Sequence, residues 1–175
     1  MEGRPFNRLQ RARAYQRAKN VNDTLPFGTR RDLYDVHTEW INHSMYPKEV
    51  DPASARHVIG TSTFGTTKPY SSSILNISAM SHGAISANAI MALNHGAKLG
   101  NFSHNTGEGG VSKYHLDGGG DLVWNIGTGY FGCGSGTLQR HFEPTLFQET
   151  LQEACGQVKM IEIKLSQVRE FLSHL

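Results

Sequence analysis

The sequence predicts an α/β protein built of parallel βα units, preceded by a largely irregular amino-terminal stretch. Three observations carry this reading. Strand-like and helix-like segments alternate from Ser71 onward, prolines and glycines break up residues 21–70, and the most distinctive residues fall just after the strand-like segments. Such alternation places helices on the faces of a parallel sheet, and ligands of these sheets bind beyond the carboxyl ends of the strands.

The elements follow in order. Residues 1–20 read as a helix, because Gln, Arg, Ala and Lys dominate and no glycine or proline falls between Asn7 and Asn20. This helix is expected to pack through Leu9 and Tyr15. Pro26, Gly28, Pro47, Pro52, Gly60, Gly65 and Pro69 then leave room for short strands only, and residues 35–44 fit a brief helix or a brief strand equally. So long an irregular stretch is expected to lie across another surface. Residues 73–80 are small, apolar and β-compatible. Ser86 suits the N-cap of a helix over 87–99, with Ile90, Leu93 and Ala97 on its inner face and Gly100 as its stop. Residues 101–104 form the next strand candidate, followed by 121–126 (DLVWNI). Pro144 suits the first position of a second helix, with Phe147, Leu151 and Ala154 inward and Gly156 closing it. Residues 158–165 (VKMIEIKL) complete the series as a strand.

Composition narrows the function classes. With 175 residues, 38% apolar and 18% charged, the chain suits one globular domain and is not low-complexity. No apolar run reaches the roughly 18–20 residues of a membrane helix; residues 74–85 are interrupted by Asn76, Ser78, Ser81, His82 and Gly83. Met1 is followed by polar and basic residues, so no secretory leader is read and the cytoplasm is the expected compartment. Cys133 and Cys155 are expected as reduced thiols, and the nine histidines show no zinc spacing, so no metal site is expected. Eight of the 17 Lys and Arg residues lie in 1–31. Such an arm suits nucleic acid, anionic lipid or a transit peptide. It lacks stacking aromatics in register and a clear apolar face, which favours a solvated helix and argues against a nucleic-acid partner.

Four constellations mark the strand ends. In Ala79-Met80-Ser81-His82-Gly83, small side chains let a planar ligand approach backbone amides; the plain alternative is an ordinary βα turn. In Asn105-Thr106-Gly107-Glu108-Gly109-Gly110, glycines let main-chain N–H groups converge on an anion or on an isoalloxazine edge, and the alternative is a surface loop. This is neither a P-loop nor a dinucleotide fingerprint. The loop after DLVWNI carries Gly127, Thr128 and Gly129. Lys164 and Gln167 stand at the end of VKMIEIKL, where a lysine in a cleft neutralises a reduced flavin or a carboxylate, although many such lysines are simply solvated.

Taken together, ISAMSHGAIS (77–86), KLGNFSHNTGEGG (98–110), IGTGYFGC (126–133) and VKMIEIKLSQ (158–167) resemble, in order and spacing, the FMN-binding domain of the glutamate synthase family, in its stand-alone bacterial form. Stretches 3–6, 15–20, 25–29 and 39–47 extend the resemblance from Gly3 to Gln167. It implies a (β/α)8 TIM barrel carrying FMN at its top face. It also implies reductive formation of glutamate from 2-oxoglutarate and ammonia through 2-iminoglutarate. By this resemblance Ala79, Met80, Ser81, Asn105, Thr128, Gly129, Lys164 and Gln167 lie against FMN, and Glu108 lies on the substrate side. No residue is assigned a catalytic step.

Departures from the family pattern qualify the expectation. His82 stands where the family has an apolar or aromatic residue, and Glu170 stands where the family's GAKPG motif has its lysine. The ligands of a 3Fe-4S cluster and the glycine-rich phosphate site belong to later strands. The layout expected is therefore an N-terminal helix and wrapping segment (1–70), the first βα units of the barrel (71–167) and a divergent tail (168–175). A whole barrel takes roughly 250 residues. An incomplete one leaves an open sheet edge, to be met by the remainder of the barrel or by another chain. Weak or absent FMN binding is expected of the isolated chain, and a non-catalytic interaction module is the alternative reading.

Overall fold

The computed structural model describes residues 5–22, 24, 32, 34, 36–51, 55–61, 68–137 and 140–166. Gln167 and the tail 168–175 lie outside the described residues. Contacts divide the chain into two units, Met1–Lys48 and Glu49–Leu175.

In the first unit the expected helix is shorter than read. Helix α1 spans Arg8–Ala18, because Asn7 caps it: Asn7 Oδ1 accepts from Gln10 N and Gln10 Oε1 accepts from Asn7 N, both at 2.9 Å. At the other end Asn20 adopts a left-handed φ of 53°, while Asn20 N and Val21 N reach back to Arg17 O and Gln16 O. That is a Schellman stop. No residue of α1 is buried, and Leu9 and Tyr15 are exposed, so the expected packing through them is not seen. The charge pattern accounts for this, since four arginines are spread round the helix and leave no apolar stripe. Residues 36–44 form turns and irregular backbone; Asp35 lies outside the described residues.

The second unit is mixed α/β. Strands β1 (Arg56–Ile59) and β2 (Tyr70–Ser73) pair antiparallel, so β2 crosses the boundary expected after residue 70. Arg56 ties the hairpin down, donating through Nη1 to Asn101 O at 2.7 Å. The main sheet has three parallel strands in the order β3 (Ser103–Asn105), β4 (Asp121–Ile126) and β7 (Val158–Ile163). Helix α2 (Ala87–Gly100) precedes β3, the short α3 (Lys113–Leu116) lies between β3 and β4, and α4 (Pro144–Glu153) lies between β4 and β7. A small antiparallel pair, β5 (Gly134–Ser135) and β6 (His141–Phe142), leads into α4.

The strand expected over 73–80 is reduced to one bridge, Ile77 to His104, parallel. Asn76 explains why. Its side-chain oxygen accepts from Ser103 N at 2.9 Å and from Ser103 Oγ at 2.8 Å, taking the place of a main-chain ladder bond. Ile77 then pairs normally with Ser103 O and Asn105 N. Met80 N, one residue later than a regular parallel ladder would place it, donates to Asn105 O at 3.1 Å.

Ser86 caps α2 as expected, accepting from Ala89 N. The left-handed stop is Asn101, φ 53°, rather than Gly100, which is the last helical residue. The inner face of α2 is Ile90, Asn94 and Ala97; Leu93 is only partly buried. Asn94 Oδ1 holds Gly120 N at 2.9 Å and so fixes the turn into β4. On the same sheet face Trp124, Ile126 and Cys133 form a core against Val111, Tyr130, Phe147, Leu151 and Val158. The Trp124 and Phe147 rings stack at 5.2 Å.

Candidate functional site

The carboxyl ends of these parallel segments converge. Met80 N meets Asn105 O, Thr106 N meets Val123 O at 3.0 Å, and Lys164 N meets Ile126 O at 2.9 Å. Residues read from four separate strand ends therefore stand side by side at one end of the sheet.

Two close approaches fix the loops there. Gly107, φ 65°, passes so near Ser81 that a Cβ would lie 2.8 Å from Ser81 N, and one on Gly109 would lie 3.1 Å from Ser81 Cβ. The glycine loop thus packs directly on the Met80–Ser81 backbone as one cradle, an approach that side chains at 107 and 109 would block. Gly127 lies beneath Glu108, 3.3 Å from its Cγ by the same measure.

A polar row runs under the tips. Asn105 Nδ2 donates to Glu162 Oε2 at 3.1 Å, and Asn125 Nδ2 donates to Glu162 Oε1. Asn105 Oδ1 accepts from Gly107 N at 2.9 Å, so the Asn105 amide ties the loop to the row. Lys164 Nζ lies 2.5 Å from Glu108 Oε1, with both side chains partly exposed. A groove of about 430 Å³ opens alongside, lined among others by Ser78, Asn105 and Glu162.

Behind the cradle the structure brings together two histidines that the sequence merely places on either side of the glycine loop. His104 and His115 are both fully buried, with ring centroids 5.2 Å apart. Burial, with His115 adding to it, lowers His104 to about 4, and burial likewise pulls His115 below its ordinary value. His115 Nε2 donates to the Met80 carbonyl at 2.9 Å. His82, the departure from the family pattern, is exposed and lies over Tyr114, centroids 4.6 Å apart.

Of the residues singled out from the sequence, Met80, Ser81, Asn105, Glu108 and Lys164 are linked by these contacts. Ala79 is exposed beside Met80. Thr128 and Gly129 lie in the loop after β4; Thr128 is exposed, and Gly129 packs under the Phe131 ring. Gln167 lies outside the described residues. Sequence reading missed Asn125, Glu162, His104 and His115. The alternation in VKMIEIKL does put Glu162 on one face with Lys164, a signal that was available. Among the described residues no group of His, Cys, Asp and Glu could hold a metal ion.

The arrangement suits an electron-rich planar group. The loop and the Met80–Ser81 backbone meet in one place, Lys164 supplies a cation that is not buried, and the Asn105 side chain is held by two partners, Glu162 and Gly107 N. Cys133 is buried, with its thiol pushed up by that burial, and Cys155 is exposed; neither forms a disulfide among the described residues. No helix among the described residues is long and apolar enough to cross a membrane.

Comparison with known proteins agrees with the motif resemblance. A family model described as the conserved region in glutamate synthase matches residues 16–169. The chain is 39% identical over 112 residues to the glutamate synthase large subunit-like protein YerD of Bacillus subtilis (strain 168). That alignment covers 63% of this chain and 20% of the relative, so the chain spans about a fifth of the curated protein it matches. No solved structure matches it.

Proposed function

Because this chain belongs to the glutamate synthase family, we propose that its strand tips form part of the FMN site of a glutamate synthase-like oxidoreductase. The observation that carries the proposal is the convergence of Met80, Asn105, Glu108 and Lys164 at one end of a parallel sheet. The strands fit the opening of a (β/α)8 barrel, since the Ile77 segment, β3, β4 and β7 neighbour one another in sequence order, with helices between them.

FMN, when bound, supplies hydride and electron transfer. Met80 and Ser81 offer it backbone, the glycines at 107 and 109 let the loop pack directly on Ser81, and Asn105 presents an oriented amide. Lys164 offsets negative charge on the ring edge. Thr128 and Gly129 would border the site from the next loop, and Gln167 would join Lys164 by the family pattern. Glu108 faces the substrate, a 2-oxo acid with ammonia in the reading that the resemblance implies. The compartment proposed is the cytoplasm.

Titration of the purified chain with FMN, followed by quenching of flavin fluorescence, tests this. Weak saturable quenching whose midpoint shifts to higher FMN concentration in Lys164→Met and in Asn105→Ala is expected. A titration that both substitutions leave unchanged, or one without saturation, overturns it.

A second reading rests on β7. Its free side pairs with no strand among the described residues, and Ile163 and Leu165 are 67% and 90% exposed. We propose that this edge takes a further strand, from the rest of a barrel or from another chain. Concentration-dependent mass by light scattering, abolished by Ile163→Lys, tests it; a monomer at all concentrations counts against pairing between copies.

A further inference from the structure

We infer that His104 and His115 form a proton-sensitive anchor behind the strand tips, holding the Met80 carbonyl and the glycine loop in place while both rings are neutral. This goes beyond the flavin reading and concerns the ligand-free chain, so it stands or falls separately.

The hydrogen bonds fix the state of His115. A carbonyl only accepts, so Nε2, 2.9 Å from Met80 O, carries the proton. Nδ1 is then an acceptor, and Ser112 offers it both a backbone N–H at 3.2 Å and a hydroxyl at 2.8 Å. One neutral tautomer satisfies all three contacts. A second proton on Nδ1 would set a donor against the Ser112 N–H, two residues past the glycine loop. It would also put a charge 5.2 Å from His104, whose two ring nitrogens have no hydrogen-bond partner among the described residues.

The surroundings give an imidazolium little support. Helix α2 carries His95 and Lys98 but no carboxylate, β3 carries none, and α3 brings Lys113 and Tyr114. His82, on the loop after Met80, adds a like charge when protonated. The nearby acids are committed or solvated: Tyr70 and Lys159 engage Asp121, Lys164 engages Glu108, and Asp117 is exposed after α3. Both rings are shifted downward, chiefly by burial. The unfolded chain therefore takes up protons near the ordinary value of about 6.5 that the folded chain refuses. The anchored state is fully favoured above that pH and loses ground as pH falls toward His104's value of about 4.

The test is an NMR titration of the full chain with nitrogen-labelled histidine, run downward from neutral pH, with amide exchange followed at Met80 and Gly107. Expected is the Nε2–H tautomer for His115, both rings titrating below about 6.5, and amide protection falling in step. His115→Gln can still donate to the Met80 carbonyl but does not titrate; it should keep protection at neutral pH and lower the acid midpoint by about one pH unit. Three results overturn the inference: an Nδ1–H tautomer, either ring titrating at the ordinary value or above, or equal acid midpoints in the two proteins. Should the variant not fold, the tautomer and titration of the unsubstituted chain decide.

Discussion

The Asn105 amide donates to the Glu162 carboxylate at 3.1 Å, so β3 and β7 are joined by side chains over the strand that separates them. Asn125 on that middle strand donates to the other carboxylate oxygen. The acid thus orients Asn105, which in turn holds Gly107 N. Glu162→Ala leaves the Asn125 amide without its acceptor, a loss of about 1–3 kcal/mol. A fall of that size is expected in urea unfolding. The Asn105→Ala and Glu162→Ala double-mutant cycle should show coupling of about 0.5–3 kcal/mol. Strict additivity would mean that the row does not hold the loop.

What could be read from the sequence were features set by nearest neighbours. The DLVWNI strand, the Ser86 cap and Pro144 at the first turn of α4 depend on local pattern and fall where expected. Features set by tertiary contact were not legible. Nothing local says that the Asn76 side chain replaces a ladder bond in the strand expected over 73–80. Nor does local pattern tell that Asn94 faces inward to hold Gly120, or that His104 and His115 meet behind the cradle. The site divides the same way: the glycine loop and Lys164 carry composition signals and strand alternation puts Glu162 on the face of Lys164, whereas the two amide partners of Glu162 are set by tertiary contact.

Two glycines should respond in opposite directions to alanine. At Gly107 a positive φ and a Cβ 2.8 Å from Ser81 N combine strain with a backbone clash, so Gly107→Ala should destabilise by about 1–3 kcal/mol. Gly96 lies inside α2 with nothing within 4 Å of an added Cβ. Gly96→Ala should stabilise by about 0.5–1 kcal/mol. Denaturation midpoints of the pair check this; equal signs would contradict the close approach of loop to cradle.

Glu108 and Lys164 give a second pair of opposite expectations. Both are partly exposed, so their ion pair contributes about 0–1 kcal/mol to stability, and neither substitution should move the melting temperature much. For FMN the signs diverge. Lys164→Met removes the cation and should weaken binding about tenfold, about 1.4 kcal/mol. Glu108→Gln removes the competing carboxylate and should tighten it. Fluorescence titration decides; weakening by both would place Glu108 among the ligand's own contacts.

Trp124 anchors the core without exposure, stacked on Phe147. Phe147 is only partly buried, so Phe147→Ala should cost about 1–3 kcal/mol. The other tryptophan, Trp40, is 61% exposed, so the buried emission belongs to Trp124. A red shift of that component in Phe147→Ala, together with the lost stability, is the expected signature.

The last expectation concerns alkaline pH. The Tyr70 hydroxyl donates to Asp121 Oδ2 at 2.9 Å and joins the β1–β2 hairpin to the start of β4. Burial pushes Tyr70 up to about 12, the Asp121 hydrogen bond and its negative charge act in the same direction, and Arg56 opposes them. A phenol whose folded value lies above its unfolded value of 10.0 stabilises the neutral form. Its contribution is therefore complete below about pH 10 and is lost as pH climbs toward about 12. Tyr70→Phe removes it at every pH, a cost of about 1 kcal/mol for a half-exposed bond to a charged acceptor. Unfolding free energies of the two proteins should differ by that amount at neutral pH and converge above pH 10, because only the tyrosine protein has a bond left to lose. A gap that stays constant into strong alkali would show that the hairpin is held by Arg56 and its Asn101 contact instead.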